Sequence, residues 1–150
     1  MRHTTPDTVA PARPPDPGVH RVEVAHVDGD AYVADVRGHR LRVDQPEDAG
    51  GEDTAPTPVE LFAASLATCV AFYAGSYLHR HGLGRTGLRV RTEFTMAADR
   101  PARVDTIRVT VLPPAGLPEQ RRAALLAVVS HCTVHNSLRQ PPEIDIQLEP

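Results

Sequence analysis

The chain has 150 residues, 41% of them hydrophobic and 23% charged, enough for one folded domain with its own core. Its net charge is −3, and its 16 basic residues are all arginine and scattered, so there is no basic patch for nucleic acid or acidic lipid. Two cysteines are too few for the disulfide framework of a small secreted protein, and the first residues lack the apolar stretch of a signal peptide, so a cytoplasmic location is expected.

Residues 1–18 carry Pro6, Pro11, Pro14, Pro15 and Pro17 with almost no large apolar side chains. Such a segment cannot bury enough surface to offset its ordering entropy, so a disordered tail is expected ahead of a single domain over 19–150. Val22 and Val24, then Tyr32, Ala34 and Val36, then Leu41 and Val43 alternate with polar residues. With turn signals at Asp28-Gly29-Asp30 and Arg37-Gly38-His39, they predict a three-stranded antiparallel meander. Asp44 and the run Glu47 to Asp53 read as an acidic, solvated loop. Its Gly50-Gly51 pair is no phosphate-binding loop, because no lysine follows and no strand leads into it.

Thr57-Pro58-Val59-Glu60 signals a helix start, with Thr57 as cap, Pro58 at the first helical position and Glu60 completing a capping box. The helix should run to about His81 and end at Gly82. Small or apolar residues surround nearly its whole circumference, which predicts burial on almost all sides. The run is long enough to consider as a membrane span, but Glu60, Ser65, Thr68, Gly75 and Ser76 interrupt it, and it reads as a buried helix. Two strands follow, through Leu88–Met96 and Ile107–Val111. A second helix opens at Pro118-Glu119, a short helical turn follows Cys132, and a last strand is expected through Ile144, Ile146 and Leu148. The predicted order is β-β-β-α-β-β-α-β, an α+β domain. A helix apolar all round is hard to cover within one such chain, which points to a homodimer.

The two cysteines are the strongest chemical candidates. Cys69 lies in the apolar helix, a setting typical of an inert core thiol and one that raises a thiol pKa unless a positive group is near. Cys132 lies between His131 and Thr133-Val134-His135. A helix ending there would disfavour its thiolate, whereas a helix starting at Thr133 would favour it. His131, Cys132, His135 and Cys69 are zinc-type ligands, but there is neither a CxxC pair nor an HExxH, so no metal is expected.

Thr57-Pro58-Val59-Glu60-Leu61, with the small-residue helix through Leu66-Ala67-Thr68-Cys69, resembles the first-cysteine motif of the OsmC/Ohr family. Pro118-Glu119-Gln120-Arg121 through His131-Cys132-Thr133-Val134-His135-Asn136-Ser137-Leu138 resembles its second-cysteine motif. Arg37-Gly38-His39, Asp44-Gln45-Pro46 and Gly50-Gly51 fit as well, so the resemblance covers roughly Val19 to Leu148. It implies an OsmC-like fold, with antiparallel sheets wrapped around two central helices in an intertwined homodimer. It also implies reduction of organic or inorganic hydroperoxides without a bound cofactor. Cys69 would be the peroxidatic thiolate and Cys132 the resolving thiol, with an external dithiol or lipoylated protein as reductant.

In the peroxidase branches of that family an arginine held by a glutamate activates the thiolate, and that glutamate directly follows the helix-opening proline. Here Val59 stands at that place and the acid is Glu60, a Pro-x-Glu pattern that resembles an OsmC-like branch. Nine residues at about 100° each put Glu60 and Cys69 on roughly opposite helix faces, which suits Glu60 to capping. Arg37, at a turn, is the first candidate for the activating cation, ahead of Arg40 and Arg42, and His131 or His135 could serve instead. Thr133 stands where many members have proline. The candidate catalytic set is thus Cys69, Cys132, Arg37 and Glu60. The competing reading is a non-catalytic dimer that binds an apolar small molecule in an inter-subunit pocket.

Overall fold

A computed structural model describes residues 17–150, so the tail expected over 1–18 lies almost wholly outside the described residues. These form two compact units, a first that ends at Pro56 and a second, Thr57–Pro150.

The first unit is the meander the alternation predicts. Strands β1 (Glu23–Asp28), β2 (Ala31–Val36) and β3 (His39–Val43) pair antiparallel in that order. Val36 faces His39 across a two-residue turn, Arg37-Gly38, with φ of 55° and 82°. Both residues are left-handed, the type I′ geometry whose twist matches the flanking strands. The Asp35 carboxylate braces the turn by accepting from the Gly38 N–H at 3.0 Å.

The loop after β3 corrects the reading of a solvated acidic surface at Asp44, which is 2% exposed. Its carboxylate accepts from the Thr54 hydroxyl at 2.6 Å and from the N–H groups of Thr54 at 3.0 Å and Gln45 at 2.8 Å. A buried carboxylate persists when its oxygens are satisfied in this way. The Thr54 hydroxyl bond, followed by the Thr54 and Gln45 backbone bonds, lowers the Asp44 pKa to about 2 against the opposing effect of burial. Gly51 lets the loop close on itself, since a Cβ there would lie 2.0 Å from the Gln45 carbonyl oxygen.

The second unit is built on α1 (Pro58–Arg80). Its start is the expected capping box: the Glu60 N–H donates to Thr57 Oγ1 at 3.2 Å, and Glu60 Oε2 accepts from the Thr57 N–H at 2.8 Å. Gly82 follows the end in the left-handed region, at φ 67°. Leu66, Val70, Ala74 and Tyr77, spaced three or four apart, form one stripe of α1 and enter the core with Leu125, Val129 and Cys132. Among the described residues the other face is not covered: Phe62 is 40% and Phe72 71% exposed, so a single chain buries one stripe of the helix and not its whole circumference. By length and composition α1 could cross a membrane, but its inner stripe packs into this core.

Strands β4 (Arg89–Met96) and β5 (Val104–Leu112) pair antiparallel as a two-stranded sheet and turn Val90, Ile107, Val109 and Val111 toward the core. A single 3-10 turn, Glu119–Arg121, leads into α2 (Arg122–Val129), and α3 (Thr133–Arg139) follows. The last strand expected through Ile144, Ile146 and Leu148 does not form. These side chains are 80, 90 and 98% exposed, and the segment has no regular structure. Alternation makes a strand only where an edge supplies hydrogen-bond partners, and within the described residues this segment pairs with none.

Candidate active site

Cys69 sits at mid-length in α1, partly buried beside the core stripe. Cys132 lies in the sharp turn between α2 and α3. Its backbone is extended (φ −67°, ψ 152°) because it is the cap that opens α3. Of the two settings the sequence left open, the helix-start one is realised. The sulfur accepts from the His135 N–H at 3.4 Å and takes the place a serine or threonine oxygen occupies in an ordinary cap.

The turn is fixed by side chains bonded to backbone carbonyls. His131 Nδ1 lies 3.0 Å from the Ala127 oxygen and His135 Nδ1 2.7 Å from the Ser130 oxygen, while the Asn136 amide donates to the His131 oxygen at 3.1 Å. A carbonyl only accepts, so Nδ1 carries the proton in both histidines. Among the described residues no three His, Cys, Asp or Glu side chains converge in a way that could hold a metal ion.

The two thiols are neighbours. Cys132 is fully buried, and burial is the largest influence on it, raising its pKa above that of an ordinary thiol. The His135 and Val134 N–H groups oppose the rise, while contact with the Cys69 thiol and the charge that thiol would carry add to it. Cys132 is therefore a protonated thiol at neutral pH, shielded from solvent, beside a thiol that solvent reaches. Such a pair is suited to stepwise oxidation, with the accessible sulfur reacting first and the buried one closing on it.

Glu60 stands in the first turn of α1 with its carboxylate engaged by the Thr57 N–H. Arg37 occupies the hairpin turn of the first unit. Arg42 is bound to the Thr54 hydroxyl at 3.1 Å and to Asp28 at 3.3 Å. Sequence reasoning missed Tyr73 and Thr133, whose hydroxyls lie 2.9 Å apart next to the cysteines. The available signal was Tyr73 at four residues from Cys69, the spacing of side chains that share a helix face.

A groove of about 700 Å³ also opens in the second unit, lined by Leu66 and Val70 of α1, Val109 of β5, and Leu125 and Val129 of α2. His135 and Arg139 of α3 stand among its polar lining.

The sequence profile of a family described as OsmC-like protein matches residues 50–147. No curated protein matches the chain. Among solved structures, a Psychrobacter arcticus protein named for osmotic stress induction and detoxification response is similar at 23% identity and a TM-score of 0.73, covering 80% of this chain and 88% of its own. A Legionella pneumophila organic hydroperoxide resistance protein is similar at 20% identity and a TM-score of 0.62, covering 81% and 91%. A Vibrio cholerae protein named for organic hydroperoxide resistance, with captopril bound in one of its active sites, is similar at 16% identity and a TM-score of 0.62, covering 82% and 87%.

Proposed function

The chain belongs to the OsmC-like protein family, and we propose that it is a thiol-dependent hydroperoxide reductase, working as a cytoplasmic homodimer in oxidative-stress defence. The observation that carries this reading is the pair of adjacent thiols, one partly exposed and one fully buried. The names borne by the Legionella and Vibrio structures support a redox or stress role. The exposed Phe62, Phe72, Ile144, Ile146 and Leu148 are surface that a second subunit would bury.

In this cycle the Cys69 thiolate attacks the distal oxygen of an organic hydroperoxide. The O–O bond breaks, an S–O bond forms, and the alkoxide leaves as the alcohol after taking a proton, so Cys69 becomes a sulfenic acid. The Cys132 sulfur then attacks Cys69, hydroxide leaves as water, and a Cys69–Cys132 disulfide closes. An external dithiol, free or on a lipoylated protein, restores both thiols by exchange.

The test is to treat the reduced protein with cumene hydroperoxide and to follow peroxide, free thiols and intact mass. Loss of both thiols and two mass units per chain supports the reading. Two persisting thiols with no peroxide consumed would sink it. Cys69→Ser should abolish consumption, and Cys132→Ser should leave a sulfenic acid at Cys69.

The apolar groove favours a second reading, a non-catalytic dimer that binds an apolar small molecule. Saturable binding of a fluorescent fatty acyl probe that persists in Cys69→Ser, with no peroxide turnover by the parent protein, would favour it.

A further inference from the structure

Four residues advance a helix by about 400°, so Tyr73 stands roughly 40° round α1 from Cys69 and one turn farther along. Its hydroxyl lies 2.9 Å from that of Thr133. Thr133 is the first residue of α3 and directly follows Cys132. The two chemistry-bearing segments, 60 residues apart at this pair, are therefore joined twice: by the sulfurs inside and by the hydroxyls next to them. The Tyr73 ring is steadied by an edge contact with Phe72, with centroids 5.9 Å apart.

Helix α3 has seven residues, too few to be stable by itself, so its position rests on its anchors. His135 and Asn136 tie it to the end of α2, whereas Val134 and Cys132 hold it to the core by apolar packing, which tolerates sliding. The hydroxyl pair is directional. Disulfide closure is sensitive to such freedom, because the bond forms over a narrow range of Cα separation and dihedral angle.

We propose that Tyr73 and Thr133 form a latch that holds the start of α3 against α1 and thereby sets the effective concentration of the Cys132 thiol at Cys69. They are positioning residues for closure of the disulfide and take no part in the attack on peroxide. The proposal rests on reading the two cysteines as a redox pair. In the closing step an S–S bond forms as the S–O bond of the sulfenic acid breaks. Cys132 is oxidised, the Cys69 sulfur is reduced, and the oxygen leaves as water.

The experiment uses glutathione redox buffers and no peroxide, so that it stands apart from the peroxidase reading. Two dithiol protons and two electrons pass to oxidised glutathione, giving the Cys69–Cys132 disulfide and two molecules of reduced glutathione. The equilibrium is read by quenching and mass. A single neutral hydrogen bond is worth roughly a 3- to 10-fold change in equilibrium. Tyr73→Phe and Thr133→Val should each lower the effective concentration by that factor, and tenfold is about 30 mV in potential. Thr133→Ser should restore it, and the Tyr73→Phe/Thr133→Val pair should be no worse than either change alone. Unfolding of the reduced variants by urea shows whether the fold is kept. Parent-like equilibria in the single variants, additive losses in the double variant, or failure of Thr133→Ser to restore would each overturn the latch. If the latch is found and peroxide is not consumed, the peroxidase reading falls alone.

Discussion

Thr57 and Glu60 satisfy each other at the mouth of α1: each donates its backbone N–H to the other's side chain, at 2.8 and 3.2 Å. The carboxylate is therefore engaged at the helix start, and its principal effect should be on stability. Thr57→Ala and Glu60→Ala should each lower the unfolding free energy by about 1 kcal/mol in urea titrations. Glu60→Gln, which can still accept, should lose much less and should consume peroxide at the parent rate. A loss of activity in a stably folded Glu60→Gln protein would instead assign the charge a part in the chemistry.

Asp44 makes the fold acid-sensitive in a defined window. Hydrogen bonds from Thr54 and Gln45 hold its pKa at about 2, below the ordinary 3.8. A depressed carboxylate stabilises the folded state above its unfolded pKa, and that stabilisation is lost as pH falls through the folded one. Stability should therefore drop between about pH 4 and pH 2. Thr54→Val, which removes the strongest of these bonds, should lower stability at pH 7 and flatten the drop. Urea midpoints at pH 7, 4 and 2.5 measure both effects, and an unchanged slope in Thr54→Val would refute the assignment.

Burial raises the Cys132 pKa above that of an ordinary thiol. Attack on a sulfenic acid requires the thiolate. Disulfide closure should thus accelerate as pH rises through the alkaline range, as a larger share of Cys132 ionises. Stopped-flow traces of sulfenic acid decay, trapped with dimedone at successive pH values, give the profile. A plateau near neutrality would mean that Cys132 ionises easily and that its burial does not govern closure.

Arg37 holds φ of 55° in a turn that prefers Asn-Gly. A side chain in the left-handed region carries a cost that asparagine reduces. Arg37→Asn should stabilise the protein by about 0.5 kcal/mol in thermal or urea melts. The same variant tests Arg37 as the activating cation expected from the sequence: slower peroxide consumption by the stably folded protein would support that role. Higher stability at an unchanged rate would remove Arg37 from the mechanism and direct attention to His131 and His135.

Ile144, Ile146 and Leu148 stand 80, 90 and 98% exposed in a segment without regular structure. Removal of residues 143–150 should convert a dimer to a monomer in sedimentation velocity if a second subunit supplies the missing edge. A truncated chain that still sediments as a dimer would place the subunit contact elsewhere, for example at Phe72.

The elements readable from sequence were those governed by local chemistry. Thr57-Pro58-Val59-Glu60 announces its helix because all the partners of a capping box lie within four residues. Arg37-Gly38 announces its hairpin because the turn fixes its own dihedral angles. Ile144, Ile146 and Leu148 carry a correct strand pattern, yet a strand also needs an edge, and no pattern within the segment encodes one. Asp44 was misread for a similar reason. Its acidic neighbours suggest solvent, whereas its burial depends on Thr54, ten residues away, and on a loop that closes only because residue 51 is glycine. The adjacency of Cys69 and Cys132 follows from the packing of α3 on α1, which spacing along the chain does not reveal. Family motifs named both cysteines without giving their exposure or the Tyr73–Thr133 bond.

The unequal burial of the two sulfurs has a practical side. Cys132 has no surface for a reagent to reach, while Cys69 is partly open. A bulky water-soluble maleimide should therefore modify the folded chain once, at Cys69, and twice only after unfolding. The protein thus carries a built-in single-site handle for a fluorophore or spin label, placed on the sulfur whose surroundings most need to be observed.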